Sequence, residues 1–233
     1  VVFNGDSDAL AQGLLGEELR RIAPQRSLQR RSLSALTFNL LATTSGLPLT
    51  RHAVFFSRDY RREFDEIFRD RRLPSQPTIY VCAQDRDDTG LKRPGEPERL
   101  FCLVNAPPTG DGPDLTAAEI DSCTRNLFAT LARCGLQLQE PRHPMQLTTP
   151  AQFHRRFPGT GGALYGAATH GWQVSFRRQG SRTVIPGLYL AGGSVHPGPG
   201  LPMAALSGRL ASESLMADLA STARFRPMAT PGG

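Results

Sequence analysis

The sequence predicts a mixed α/β fold, and three observations carry that prediction. Apolar, β-branched runs at Leu33 to Thr43, Ala53 to Phe56, Thr78 to Ala83 and Leu100 to Asn105 read as largely buried strands. Between and after them, apolar residues recur at helical spacing. Glycine and proline are in excess: Gly 23 plus Pro 19 is 42 of 233, about 18% against a usual ~12%. Much of that excess sits in two places, Pro158 to Gly171 and Pro186 to Pro202. With 39% hydrophobic and 21% charged residues, the chain can bury a core, and disorder throughout is excluded.

Taken in order, Val1-Val2-Phe3 is a strand leaving into a turn at Asn4-Gly5-Asp6, followed by a short helical stretch from Asp8 to Leu19. The first residue is Val1 rather than Met, in the middle of a strand, so a piece of a longer protein is expected. Arg20 to Arg31 is polar and expected to be a linker. After Ser57, Tyr60, Phe64, Ile67 and Phe68 fall on one face of an amphipathic helix. Gln84 to Arg99, charged and rich in Pro and Gly, is expected to be a loop or a disordered insertion. Thr116 and Glu119 form a capping box. The helix it opens aligns Ile120, Cys123, Leu127, Leu131 and Cys134 and stops at Gly135. No internal repeat is evident, and Arg224 to Gly233 is a Pro/Gly tail with nothing to pack.

The net charge of +6 favours encounter with phosphate or anionic lipid. Among the 27 basic residues only Lys92 is a lysine. Arginine pairs recur at Arg61-Arg62, Arg71-Arg72, Arg155-Arg156 and Arg177-Arg178. Alternation with acids from Arg58 to Arg72 predicts a solvated helix face, with a membrane-surface role as the alternative. No five-residue basic run occurs and no stacking aromatics interleave with the pairs, so nucleic acid is not an expected partner. Cys82, Cys102, Cys123 and Cys134 have no CxxC spacing and no paired histidines, so no metal site is expected. They read as free thiols, buried, in a reducing compartment. No run of about 18 apolar residues offers a membrane-spanning helix, and no positive and apolar leader opens the sequence.

The chemistry is concentrated in Ile185 to Leu210. A turn at Pro186-Gly187 leads into a short strand, Leu188-Tyr189-Leu190-Ala191, with Gly192 and Gly193 at its carboxyl end. Ser194 to Gly200 is an irregular loop held by Pro197 and Pro199, and a helix follows, with Pro202 in its first turn. Small residues at Ala204, Ala205, Ser207, Gly208 and Ala211 would let that helix approach a sheet or a cofactor closely. A strand, a glycine pair and a helix N-terminus together receive phosphate or a flavin carbonyl through backbone amides and the helix dipole. A P-loop is excluded, because the one lysine lies elsewhere. A hydrolase elbow at Ser194 fails, since His196 holds the last glycine position and Pro197 to Gly200 forbid an immediate helix. No GxGxxG opens a βαβ unit. A plain glycine-rich turn between a strand and a helix stays open as the bland alternative.

The segment Gly187 to Gly208 resembles the carboxyl-terminal FAD motif of the bacterial carotenoid (phytoene) desaturase family. Phe157 to Gly166, His170-Gly-Trp172 and Asn4-Gly-Asp6 after Val1-Val2 are similar to that family as well. Val54 to Ser57 and Thr78 to Arg86 resemble its branch of 1-hydroxycarotenoid 3,4-desaturases from purple phototrophic bacteria. The family's amino-terminal Rossmann segment, with GxGxxG and a ribose-binding acid, is absent here. The resemblance therefore implies the carboxyl-terminal half of a two-domain FAD-dependent oxidoreductase, with an α+β substrate domain and the amino-terminal FAD-binding half as a missing partner.

It implies FAD-domain segments at 1–20 and 151–220, a substrate domain of sheet and helices at 33–150, and a flexible tail at 221–233. Gly192, Gly193 and Ser194 would hold FAD near its pyrophosphate and ribityl chain, and Leu201, Pro202 and Met203 would begin the helix facing the isoalloxazine. No catalytic side chain is implied; His196 is a candidate beside a positioning or structural role. The implied reaction removes two hydrogens from a C–C bond of an acyclic 1-hydroxy or methoxy carotenoid such as hydroxyneurosporene, with hydride passing to the flavin. Phytoene, or the substrate of another amine-oxidase-like flavoenzyme, is the alternative within that class. A non-catalytic basic module binding anionic lipid or nucleic acid is the alternative outside it. Leu36, Phe38, Leu40, Ile79, Tyr80 and Val81 would be core or channel wall. Peripheral attachment to the cytoplasmic side of the bacterial inner membrane is implied, through Phe55, Phe56, Tyr60 or Phe64 and nearby arginines. Alone, this half is expected to fold poorly and to lack activity, because the strands at Val1 and Leu188 would have unpaired edges.

Overall fold

The structure, a computed structural model, describes residues 1–23, 26–87, 96–139, 144–168 and 178–224. His170, Trp172, Arg177 and Lys92 lie outside those residues. The chain divides into two compact units, one of residues 31–164 and one of residues 1–30 with 165–233.

The unit of residues 31–164 is built on a five-stranded antiparallel sheet. In chain order its strands are β2 (Ser34–Ala42), β4 (His52–Phe55), β5 (Ile79–Ala83), β6 (Glu98–Ala106) and β8 (Gln146–Thr148). Their order across the sheet is β4-β5-β6-β2-β8. The register pairs Phe38 with Cys102 and Cys102 with Val81, so Leu36, Phe38, Leu40, Ile79, Val81, Leu100 and Val104 share one face. All of them are buried there. Helix α3 (Ala117–Arg133) covers that face with Cys123, Leu127 and Leu131. Its capping box at Thr116 forms as the sequence predicts, and the chain leaves it through Gly135 at φ 88°. A small ribbon, β3 (Thr44–Gly46) with β7 (Leu136–Leu138), closes one end.

Helix α2 (Tyr60–Phe68) departs from the sequence expectation. The acids of the Arg58 to Arg72 stretch do not all face water: Glu63 and Glu66 are 1% and 2% exposed. Each is buried because it is hydrogen-bonded from the chain that follows the helix. Glu63 accepts from the Thr78 N–H (3.0 Å), the Thr78 hydroxyl (2.6 Å) and Asn105 Nδ2 (3.3 Å). Glu66 accepts from Arg72 (2.7 Å), Arg62 (3.2 Å) and the Ser75 N–H (2.7 Å). Ile67 is fully buried, whereas Tyr60 is exposed. The described ends of the charged Gln84 to Arg99 segment are equally ordered. Arg86 pairs with fully buried Glu98 at 2.7 Å and donates to the Leu49 carbonyl.

Residues 151–164, expected with the FAD segment, pack instead within the 31–164 unit. Helix α4 (Pro150–Arg156) is capped by Thr149, which also bonds Asp114. The Gly110 N–H donates to the Gly161 carbonyl and the Leu164 N–H to that of Leu33. Arg31, read as the end of a linker, is buried and paired with Asp111 at 2.7 Å.

In the other unit, β1 (Val2–Phe3) and β9 (Tyr189–Leu190) form a two-stranded parallel sheet, Val2 opposite Tyr189 and Phe3 opposite Leu190. Helix α1 (Ser7–Ala11) is shorter than the predicted Asp8 to Leu19 stretch, since Gly13 (φ 74°) and Gly16 (φ 133°) break it and a 3-10 turn, Glu17–Ile22, follows. Asp6 caps α1 by accepting from the Asp8 N–H, and its carboxylate also holds Arg26 at 2.6 Å. Arg26, too, is therefore anchored rather than part of a free linker. Helix α5 (Leu201–Arg224) runs on through 221–224, where a tail was expected; residues 225–233 lie outside the described part.

Candidate functional site

The carboxyl ends of β1 and β9 point the same way, and the turns that leave them meet. The Ala191 N–H donates to the Phe3 carbonyl at 3.0 Å, the last rung of the pair. At Gly192 the backbone turns with φ 121°, a conformation L side chains rarely adopt, and a Cβ there would face Asn4 Nδ2 at 3.5 Å. The Gly192 N–H donates to Ser207 Oγ at 2.7 Å, and that hydroxyl donates in turn to the Ala204 carbonyl at 2.6 Å. One fully buried serine of α5 thus ties the strand end to the first turns of the helix.

The small-residue face of α5 explains the close approach. Ser207 and Ala211 are buried, with Tyr189 and Ala191 packed on Ala211. Ala205, counted in that face from sequence, is exposed. Beyond the face, Tyr189 donates to Asp218 at 2.7 Å, which also receives Arg182 at 2.8 Å. The Arg182 hydrogen bond and then the Tyr189 hydroxyl hold the Asp218 carboxyl below its ordinary range.

Gly193 and Ser194 are half-buried and their N–H groups have no partner among the described residues. Leu201, Pro202 and Met203 open α5 and are exposed, Leu201 at 85%. The loop between is anchored through its backbone and through Val195. The His196 N–H donates to the Gln179 carbonyl at 2.8 Å, while Val195 is buried with Leu10, Ile22 and Leu190. The His196 side chain lines a groove of about 370 Å³ with Ser181, Arg182, Leu210, Glu213 and Ser214 on the flank of α5. None of the groove's lining residues comes from the Gly192–Ser194 turn.

Sequence reasoning missed Arg178. It is 8% exposed, and its guanidinium donates to the carbonyls of Gly193 (3.3 Å), Ser194 (3.4 Å), Tyr165 (3.2 Å) and Ala167 (3.0 Å). Burial pulls its pKa below the ordinary guanidinium value, Arg26 adds to that pull, and Asp6 opposes it. A glycine turn with open N–H groups, the start of a 24-residue helix and a buried guanidinium with an unbonded Nε fit an anionic group such as a dinucleotide's diphosphate.

In the 31–164 unit, the candidate channel residues separate by face. Leu36, Phe38, Leu40, Ile79 and Val81 are core beneath α3. Tyr80 lies on the opposite face with Val54, Phe101 and Leu103, all half-buried or exposed. Phe55, expected at a membrane, is 5% exposed and belongs to the core. Phe56, Tyr60, Phe64 and Phe68 form a ladder of ring contacts, with Phe56 and Tyr60 exposed. Among the described residues no helix is long and apolar enough to cross a membrane, and no group of three or more potential metal ligands occurs.

Comparison with known proteins defines the class. The chain is 58% identical over its whole length to a hydroxyneurosporene desaturase from Rubrivivax gelatinosus, covering 44% of that protein. It is 42% identical over 96% of its length to a hydroxyneurosporene desaturase from Cereibacter sphaeroides, again covering 44% of the relative. A 1-hydroxycarotenoid 3,4-desaturase from a Flavobacterium is 31% identical over 82% of the chain and 39% of the relative. No family model matches. The chain belongs to the carotenoid desaturase family and spans less than half the length of the curated relatives it matches.

Proposed function

We propose that this chain is part of an FAD-dependent desaturase that introduces a C–C double bond into an acyclic 1-hydroxy or methoxy carotenoid such as hydroxyneurosporene, within carotenoid biosynthesis. The observation that carries the reading is the joint turn at the carboxyl ends of β1 and β9, with Gly192 at φ 121° hydrogen-bonded to Ser207 of α5. Ligands of parallel-sheet proteins bind at such strand ends. The identity of 58% to a hydroxyneurosporene desaturase supports the substrate class.

When bound, FAD supplies a ring that accepts hydride, which lets an unactivated C–C bond lose two hydrogens. The Gly193 and Ser194 N–H groups and the α5 N-terminus would hold its diphosphate, and exposed Leu201, Pro202 and Met203 would hold the ring end. The half-open sheet face with Val54, Tyr80, Phe101 and Leu103 offers the polyene an apolar surface. The part of the relatives outside the match would complete the FAD site. The Phe56–Tyr60–Phe64 ladder and its flanking arginines would rest on the cytoplasmic side of the inner membrane, where the substrate dissolves.

The test is co-expression of this chain with the part of the Rubrivivax gelatinosus relative outside the match, followed by product analysis. Hydroxyneurosporene is expected to be desaturated and phytoene to be left unchanged. Conversion of phytoene alone moves the assignment to a phytoene desaturase, and conversion of neither contradicts the proposal.

A further inference from the structure

Arg178 makes no ion pair among the described residues, although it is buried. Its neighbour Arg26 has its charge matched by Asp6 at 2.6 Å. Arg178 is instead held by four backbone carbonyls from two separate segments, 165–167 and 193–194. A peptide unit is planar and trans, so a carbonyl turned toward the guanidinium turns the following N–H the other way. The bond to the Gly193 carbonyl therefore sets the Ser194 N–H facing outward from Arg178. One donor remains: Nε is buried and unbonded. Gly198 (φ 137°) packs closely beside it, since a Cβ there would stand only 3.3 Å from Nε. A desolvated cation held only by neutral acceptors gains most from an anion brought into its field.

We propose that Arg178 is the positioning residue of the nucleotide-binding turn, orienting the Ser194 N–H and supplying the buried positive charge that the diphosphate of the dinucleotide meets. The inference rests on the flavoprotein reading above. It separates two tasks that a substitution can divide. Lysine keeps the charge, but an ammonium cannot match the planar fork that bridges four carbonyls. Methionine keeps neither.

The test uses this chain co-expressed with the part of the Rubrivivax gelatinosus relative outside the match, and compares FAD with riboflavin, which lacks phosphate. Arg178→Met is expected to weaken FAD about ten- to a hundredfold, the range of hydrogen bonds to charged groups, with Arg178→Lys between it and the unsubstituted protein. Riboflavin binding is expected to stay within about twofold across all three, well under the tenfold that 1.4 kcal/mol represents. Equal losses for FAD and riboflavin, or no loss for either, overturn the proposal. Should Arg178→Met fail to fold, the unsubstituted ¹⁵N-labelled protein gives the answer. Its Arg178 Nε–H resonance is expected to move on adding ADP and not riboflavin, and a resonance unmoved by ADP overturns the proposal. An unsubstituted assembly that takes up no FAD overturns the flavoprotein reading, and this inference with it.

Discussion

The two units bury themselves in opposite ways. The 31–164 unit closes a single core between an antiparallel sheet and α3, and its buried charges are bonded within the same unit: Glu98 to Arg86, Glu66 to Arg72, Arg31 to Asp111. Among the described residues the other unit has small clusters, one around Leu10, Ile22, Leu190 and Val195 and one around Tyr189, Ala191 and Ala211. Its sheet has two strands, which on their own are marginal in water. Among the described residues both units keep unpartnered donors, Arg31 Nε and Arg71 Nη1 in the first and Arg178 Nε with the Gly193 and Ser194 N–H groups in the second. The difference teaches that one unit is closed by a core, while the other depends on small clusters and single hydrogen bonds.

The comparison breaks most readily in the sheet core. Phe38 is fully buried, so Phe38→Ala is expected to cost about 3–5 kcal/mol. Urea unfolding followed by circular dichroism measures this; a loss under about 1 kcal/mol would mean the core is not closed as described. Next comes Glu63→Ala, which strands the Thr78 N–H, its hydroxyl and Asn105 without an acceptor. A loss of about 2–3 kcal/mol is expected by the same measurement.

Gly192→Ala sharpens the contrast. The backbone at φ 121° suits only glycine, so a strain of about 1–3 kcal/mol is expected. Cofactor binding is expected to suffer more than global stability, because the strained residue sits in the turn and not in the core. Comparable losses in FAD affinity and unfolding midpoint would blur the division of labour.

At neutral pH the smallest effect, a pH dependence, is nil, and it grows only in alkali. Burial pushes the Cys102 and Cys123 thiols up to about 12. A group whose folded pKa is raised gives stability that is intact below its unfolded pKa and lost as pH rises. Nothing is expected at neutral pH, and from ~8.5 upward each thiol costs up to about 1.4 kcal/mol per pH unit until about 12. Serine at both positions should remove that slope; an unchanged slope would assign it to other groups.

The strands and long helices were legible because period and capping chemistry are local. Leu36, Phe38 and Leu40 alternate in a run that a strand alone explains, and Thr116 announces α3 three residues ahead of Glu119. The glycine turn was legible for the same reason, since strand, glycine pair and Pro202 follow one another. The buried acids were not. Glu63 and Glu66 sit among arginines and read as surface, and their partners Thr78, Asn105 and Ser75 come from later in the chain. Arg178 was hidden likewise, because backbone carbonyls 11 to 16 residues away leave no side-chain signature. The shared boundary near residue 150 was misplaced because the Gly110–Gly161 and Leu33–Leu164 bonds join distant segments.

The central claim is that the turn at the β1 and β9 ends is one half of a flavin site. Its most direct test is the visible spectrum after FAD addition, taken on this chain alone and on the chain co-expressed with the part of the Rubrivivax gelatinosus relative outside the match. Flavin bands that survive desalting only in the co-expressed pair are the predicted result. Bands retained by the chain alone would contradict the divided site, and their absence from both would contradict the flavoprotein assignment.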